Sequence, residues 1–197
     1  VDVSGQDLSA QSMTENIVLA DLQINGNTTS NFMHLQSLKN GEIRNIKAVG
    51  CSSENIVVSD CEGTNFYSIQ TQASSTDGLK IFNSKNMGFK KIKMFDNKQS
   101  GCNVVADSDI TDGVTTNCIF VSCILSGNKQ NGAVIQNVAS GSTTDIKFSN
   151  CVASNNFATG FDSQCQQVSF GACGVKNNGG IGIKITGIDN IVNGCII

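Results

Sequence analysis

The chain has 197 residues, enough for one domain, and its 39% hydrophobic content excludes an intrinsically disordered polymer. Charged residues make up only 15% and the net charge is −3, which excludes a nucleic-acid binder working through bulk positive charge. No run of about 18 apolar residues occurs, so no membrane-spanning helix is expected.

Residues 1–15 carry no repeat and read as an N-terminal cap or linker. Within them Asp7–Thr14 is the one stretch compatible with a short helix, and Val1–Leu8 lacks the basic-then-apolar pattern of a secretory leader.

From residue 16 to residue 197, eight segments align on one template, anchored at Leu22, Ile46, Ile69, Ile92, Cys123, Cys151, Cys173 and Cys195. The steps between anchors are 24, 23, 23, 31, 28, 22 and 22 residues. Three residues before each anchor stands Leu19, Ile43, Phe66, Phe89, Phe120, Phe148, Phe170 or Val192. Apolar residues alternate by two on either side of a bend, which is the strand period. Five after the anchor come Asn27, Cys51, Ser74, Asn97, Asn128, Asn156 and Asn178, placed to bond along a stack as amide ladders do. Nine after come Asn31, Asn55, Gly78, Gly101, Gly132, Gly160 and Gly182. A third strand opens ten after, at Phe32, Ile56, Leu79, Cys102, Ala133, Phe161 and Ile183. His34, the one histidine, falls twelve after its anchor, level with Val58, Ile81 and Val104, and is expected to point inward.

Repetition at this period means a solenoid. Three short strands and three turns per unit predict an all-β fold, a single right-handed parallel β-helix with about 22–31 residues per coil. The absence of proline suits a sheet in which nearly every N–H is needed, and 20 glycines suit its corners. Four of the nine cysteines fall in one inward column, and spacings of 22 to 28 are not metal-ligand spacings. They read as a reduced thiol ladder, formed in a reducing cytosol even where the protein later acts outside it. Ile197 falls in mid-coil, so a following domain or a second subunit is expected to cover that end.

The clearest copies are Phe120–Gly132, Phe148–Gly160 and Phe170–Gly182, of the form apolar-x-apolar-x-x-Cys-x-apolar-x-x-Asn-x-x-x-Gly. This pattern resembles the repeat of the pectin-lyase-like β-helix superfamily, and within it the shafts of bacteriophage tailspikes and capsule depolymerases. The resemblance implies a virion or extracellular protein that binds, and in some members cleaves, a bacterial surface polysaccharide. The alternative it leaves open is a non-catalytic structural or adhesive β-helix. The polygalacturonase motifs Asn-Thr-Asp, Asp-Asp and Gly-His-Gly are absent, and the proline-containing pectate lyase motif is impossible, so no catalytic residue carries over.

Two groups remain as candidates. Two before the anchor, Arg44, Tyr67 and Lys90 are expected on consecutive coils, flanked by Glu42, Lys47, Gln70, Lys91 and Lys93. Cations there would neutralise a uronate, and Tyr67 would stack on a sugar or move its α-proton. A solvated lysine-rich face is the competing reading. The two long steps place Asp107–Thr116 and Val138–Thr144 at one corner as loops. Asp109 and Asp112 are candidates for acid and base in glycoside hydrolysis. Asp107, Asp109 and Asp112 with Asp145 offer oxygen ligands of the kind Ca²⁺ takes, although Asp112 is one place late for the usual calcium loop. No organic cofactor is implied. Outward positions of the later coils are apolar at Ile119, Val121, Ile124, Val134, Val152, Ile191 and Ile196, which predicts a homotrimer or a fixed neighbouring domain there.

Overall fold

The structure, a computed structural model, describes residues 14–26, 33–106, 113–137 and 141–197. Among these residues there is no helix, and every named strand pairing is parallel. One coil shows the unit: strands Lys85–Lys90, Lys93–Phe95 and Cys102–Val105 form three faces. Each pairs with its counterpart in the next coil, Val114–Val121, Ile124–Ser126 and Ala133–Gln136. The third face is a 7-stranded sheet, while the first two belong to one 13-stranded sheet. They are joined because Val18–Asn25 and Glu42–Val49 run unbroken across the bend between them. Pairing begins at Thr14–Glu15, against Leu38–Lys39.

The corners are made by single residues in the left-handed region, repeated on each coil. The first column is Asn40, Gly63, Asn86, Asn117, Asp145, Gln167 and Asp189; the second is Asn45, Ser68, Lys91, Ser122, Asn150, Ala172 and Gly194. A third follows at Gly50, Ala73, Asp96, Gly127, Asn155 and Asn177. Most are Asn, Asp or Gly, which enter this region at least cost. Side-chain bonds tie neighbours along a column, as from Asn117 Nδ2 to Asn86 Oδ1 at 2.8 Å.

The core is a set of columns too. Phe66, Phe89, Phe120, Phe148 and Phe170 stack in order, with successive ring centroids 4.9, 4.6, 4.5 and 5.6 Å apart. Beside them all nine cysteines are free thiols, eight of them buried. Cys123, Cys151, Cys173 and Cys195 each donate to a carbonyl in the preceding coil, on Phe89, Phe120, Phe148 and Phe170, at 3.6, 3.5, 3.5 and 3.3 Å. The expected thiol ladder is therefore present.

The asparagine ladder runs from Ser74 through Asn97, Asn128 and Asn156 to Asn178. Asn97 Nδ2 donates to Asn128 Oδ1, Asn128 to Asn156 and Asn156 to Asn178, each at 2.9 Å. The same oxygens accept the backbone N–H groups of Asn97, Asn128 and Asn156. These buried amides satisfy a corner that has no strand partner.

Three expectations are corrected. Met33, not Phe32, pairs with Ile56, because the first coil carries one more residue before its third strand; Asn31 and Phe32 lie outside the described residues. That shift moves His34 off the inward column. It pairs with Val57 on the outward side, half-buried, with Nε2 2.9 Å from Ser59 Oγ, and Leu35 takes the buried place. Both inserted loops are also shorter than read, since Val114, Thr115 and Thr116 and their partners Ser142, Thr143 and Thr144 are strand residues that pair with one another.

Candidate functional site

The outward columns fall as the template placed them. Arg44 pairs with Tyr67, Tyr67 with Lys90 and Lys90 with Val121. Across the bend, Lys47 pairs with Gln70, Gln70 with Lys93 and Lys93 with Ile124. Neighbours in a column are about 4.8 Å apart. Alternation makes these residues outward: Ile43, Phe66 and Phe89 are buried, while Arg44, Tyr67 and Lys90 beside them are exposed.

Lys91 stands between the columns at φ 58°, so the bend itself holds that cation out into solvent. Glu42 meets Arg44 Nη1 at 3.3 Å and is the one carboxylate within the set. On the second face Gln70 Nε2 donates to Gln72 Oε1 at 3.5 Å, and Gln72 Nε2 to Asp96 Oδ2 at 3.3 Å. Arg44, Lys47, Lys90, Lys91 and Lys93 thus form a local positive strip on a chain of net charge −3. A guanidinium in such a strip suits a carboxylate, with two parallel N–H donors available to it. Tyr67, 38% exposed, offers a ring face in the middle.

The acidic group fares differently. Asp107, Asp109 and Asp112 lie outside the described residues. Asp145 is described and exposed, in the first corner column between Asn117 and Gln167. Among the described residues there is no group of three or more His, Cys, Asp or Glu that could hold a metal ion. Asp145 does line a surface cleft of about 350 Å³, shared with Lys147, Gln167, Val168, Ser169, Asp189 and Ile191. Sequence reasoning missed Gln167 and Asp189. A signal was there, since a polar residue or glycine recurs six positions before every anchor.

Of the outward apolar residues, Ile119 and Ile124 are 37% and 39% exposed. Val121, Val134 and Val152 are half-buried, and Ile191 and Ile196 are exposed.

No protein-family model and no curated protein matches the chain. Solved structures do. The A-module of mannuronan C-5 epimerase from Azotobacter vinelandii superposes with a TM-score of 0.69 at 15% identity, over 85% of this chain and 53% of its own. A periplasmic alginate epimerase, AlgG, gives 0.66 at 13%, over 94% and 46%. The tailspike protein gp49 of a Pseudomonas phage gives 0.58 at 14%, over 82% and 27%. The chain spans about half the length of the epimerases it matches. At these identities the likeness shows the fold alone. That fold is the parallel β-helix that the repeat predicts.

Proposed function

We propose that this chain is the shaft of a tailspike-like protein that binds an acidic bacterial surface polysaccharide along the Arg44–Tyr67–Lys90 and Lys47–Gln70–Lys93 columns. The observation that carries the reading is the register, which gathers five cations and the chain's one tyrosine onto adjoining columns of three successive coils. An extended glycan laid along a column would meet one coil about every 4.8 Å, close to the rise of one pyranose. Its carboxylates would face Arg44, Lys90 and Lys93. The names of the proteins that share the fold, alginate epimerases and a phage tailspike, support a glycan ligand and a place on a virion or outside the cytoplasm.

Cleavage would follow one of two routes. In an elimination, Arg44 and Lys90 neutralise the uronate while the Tyr67 oxygen relays the proton from the carbon α to the carboxylate onto the glycosidic oxygen, whose bond to the β-carbon breaks as the C=C bond forms. In hydrolysis, Asp109 and Asp112 divide the acid and base roles; the alternative use of the same carboxylates is Ca²⁺ binding by Asp107, Asp109, Asp112 and Asp145. The alternative is a shaft that binds without cleaving.

Incubating the purified chain with acidic and neutral bacterial polysaccharides separates these. Shortened glycan with new absorbance in the unsaturated-uronate band means elimination, and shortening without it means hydrolysis. Retention of intact acidic glycan means binding alone. Failure to retain any acidic polymer contradicts the proposal.

A further inference from the structure

Five Asn–Gly pairs occur in the chain, beginning at Asn25, Asn40, Asn131, Asn178 and Asn193. Such a pair is chemically labile. The glycine nitrogen attacks the asparagine Cγ, ammonia leaves, and water opens the resulting succinimide. Glycine allows the ring to close because it places no Cβ in the way and turns most freely about φ and ψ. The attack still needs a glycine nitrogen released from its hydrogen bond and a side-chain amide free to reach it.

Four of the pairs are denied these conditions. Gly26 N donates to the Val49 carbonyl at 2.8 Å, Gly132 N to that of Thr159 at 3.0 Å and Gly179 N to that of Asn156 at 2.9 Å. Gly41 N donates to Thr64 Oγ1 at 3.3 Å. Asn131 Oδ1 accepts the Thr159 N–H at 2.9 Å, and Asn178 is held in the amide ladder through both its side-chain oxygen and its nitrogen. At these four the reaction waits on local opening of a coil, which costs free energy. At the fifth pair Asn193 and Gly194 are both exposed. Among the described residues, neither the Asn193 side chain nor the Gly194 N–H has a hydrogen-bond partner. Apart from its chain neighbours, a Cβ built on Gly194 would meet nothing nearer than the Ala172 nitrogen at 4.0 Å.

We infer that Asn193 is a site of spontaneous modification, deamidated through a succinimide by water alone. The bond from Gly194 N to Asn193 Cγ forms as the side-chain nitrogen departs with the displaced proton as ammonia. Water then breaks one of the two imide C–N bonds. Opening at Cγ gives aspartate. Opening at the backbone carbonyl gives isoaspartate, in which the chain runs on through Cγ and is one carbon longer. That carbon falls in strand Ile191–Asn193, where Asn193 pairs with Gly171 and its carbonyl accepts the Ala172 N–H at 2.9 Å. Isoaspartate therefore breaks this pairing and loosens the hold on Cys195, two residues further on.

The test incubates the folded chain for days in mildly alkaline buffer made with heavy-oxygen water, beside a sample in urea, and maps the label by peptide mass spectrometry. In the folded chain the label is expected at Asn193 well before the other four asparagines, and in urea at all five at similar rates. Gly194→Ala is expected to slow the labelling of Asn193 several-fold. Ala172, at φ 50° in the same corner column, shows that the fold accepts alanine there. The modified chain is expected to react faster than fresh chain with a thiol reagent at Cys195. Labelling of another Asn–Gly pair first, labelling of Asn193 no faster than the other four in the folded chain, or an unchanged rate in Gly194→Ala overturns the site. Labelling at Asn193 with unchanged Cys195 reactivity overturns the loosening of the strand.

Discussion

The side-chain nitrogen of Asn128 lies 2.9 Å from the point where a Cβ on Gly101 would stand, and the carbonyl of Gly132 lies 2.8 Å from it. At Gly78, Gly101, Gly132 and Gly160 the glycine nine residues after one anchor and the asparagine five after the next are thus one device: the amide ladder occupies the space the glycine vacates. Gly101→Ala is expected to lower stability by about 2 kcal/mol through overpacking against backbone. Asn128→Ala is expected to cost about 3 kcal/mol, because it strands the Asn97 N–H and the Met94 carbonyl. Urea midpoints measure both, and unchanged midpoints would show the ladder to be incidental.

The corner columns make an opposite prediction. Ala172 is exposed and sits at φ 50°, in a column otherwise served by residues such as Asn45, Asn150 and Gly194. A left-handed residue other than glycine costs about 1–2 kcal/mol, partly offset by the roughly 0.5–1 kcal/mol of chain entropy that glycine adds to the unfolded state. Ala172→Gly is therefore expected to stabilise the fold by about 0.5–1 kcal/mol. Ala153→Gly, in a buried strand position, is the control and should destabilise. Thermal unfolding of the two variants checks the difference in sign.

The buried thiols give the fold a pH limit. Burial pushes Cys51 and Cys61 up to about 11, and Cys118 and Cys165 up to about 12, from an ordinary value of 9.0. The Cys123 sulfur beside it, ahead of burial, raises Cys151 to about 12. A raised folded value means the unfolded chain releases these protons first. The thiols' contribution to stability is thus complete below pH 9 and is lost between pH 9 and about 12. At pH 8 the native chain should react slowly with an aromatic disulfide reagent, half-buried Cys195 first, and all nine thiols quickly in urea. Rapid native reaction of several thiols would contradict this burial.

Much of this was legible in the residues. The period, the Phe and Cys columns, the Asn ladder and the register of Arg44, Tyr67 and Lys90 all follow from a repeat whose steps agree once the two insertions are allowed for. The first coil misled because its unit is one residue longer, and in a strand that slip reverses which side a residue faces. His34, whose distance from its anchor predicts core, therefore faces outward. The first corner column is marked by polarity alone, since its mixture of Asn, Asp, Gly and Gln carries no hydrophobic signal. The cleft at Asp145, Gln167 and Asp189 went unseen with it.

The most direct test of the account is the affinity of the chain for an acidic bacterial polysaccharide, measured for the native sequence and for R44A/K90A at low and moderate salt. The account predicts measurable binding that weakens as salt screens the strip over about 10 Å at 0.1 M, and at least a tenfold loss in the double variant with its unfolding midpoint unchanged. Binding that is equal in the two proteins, or absent from both, would contradict it.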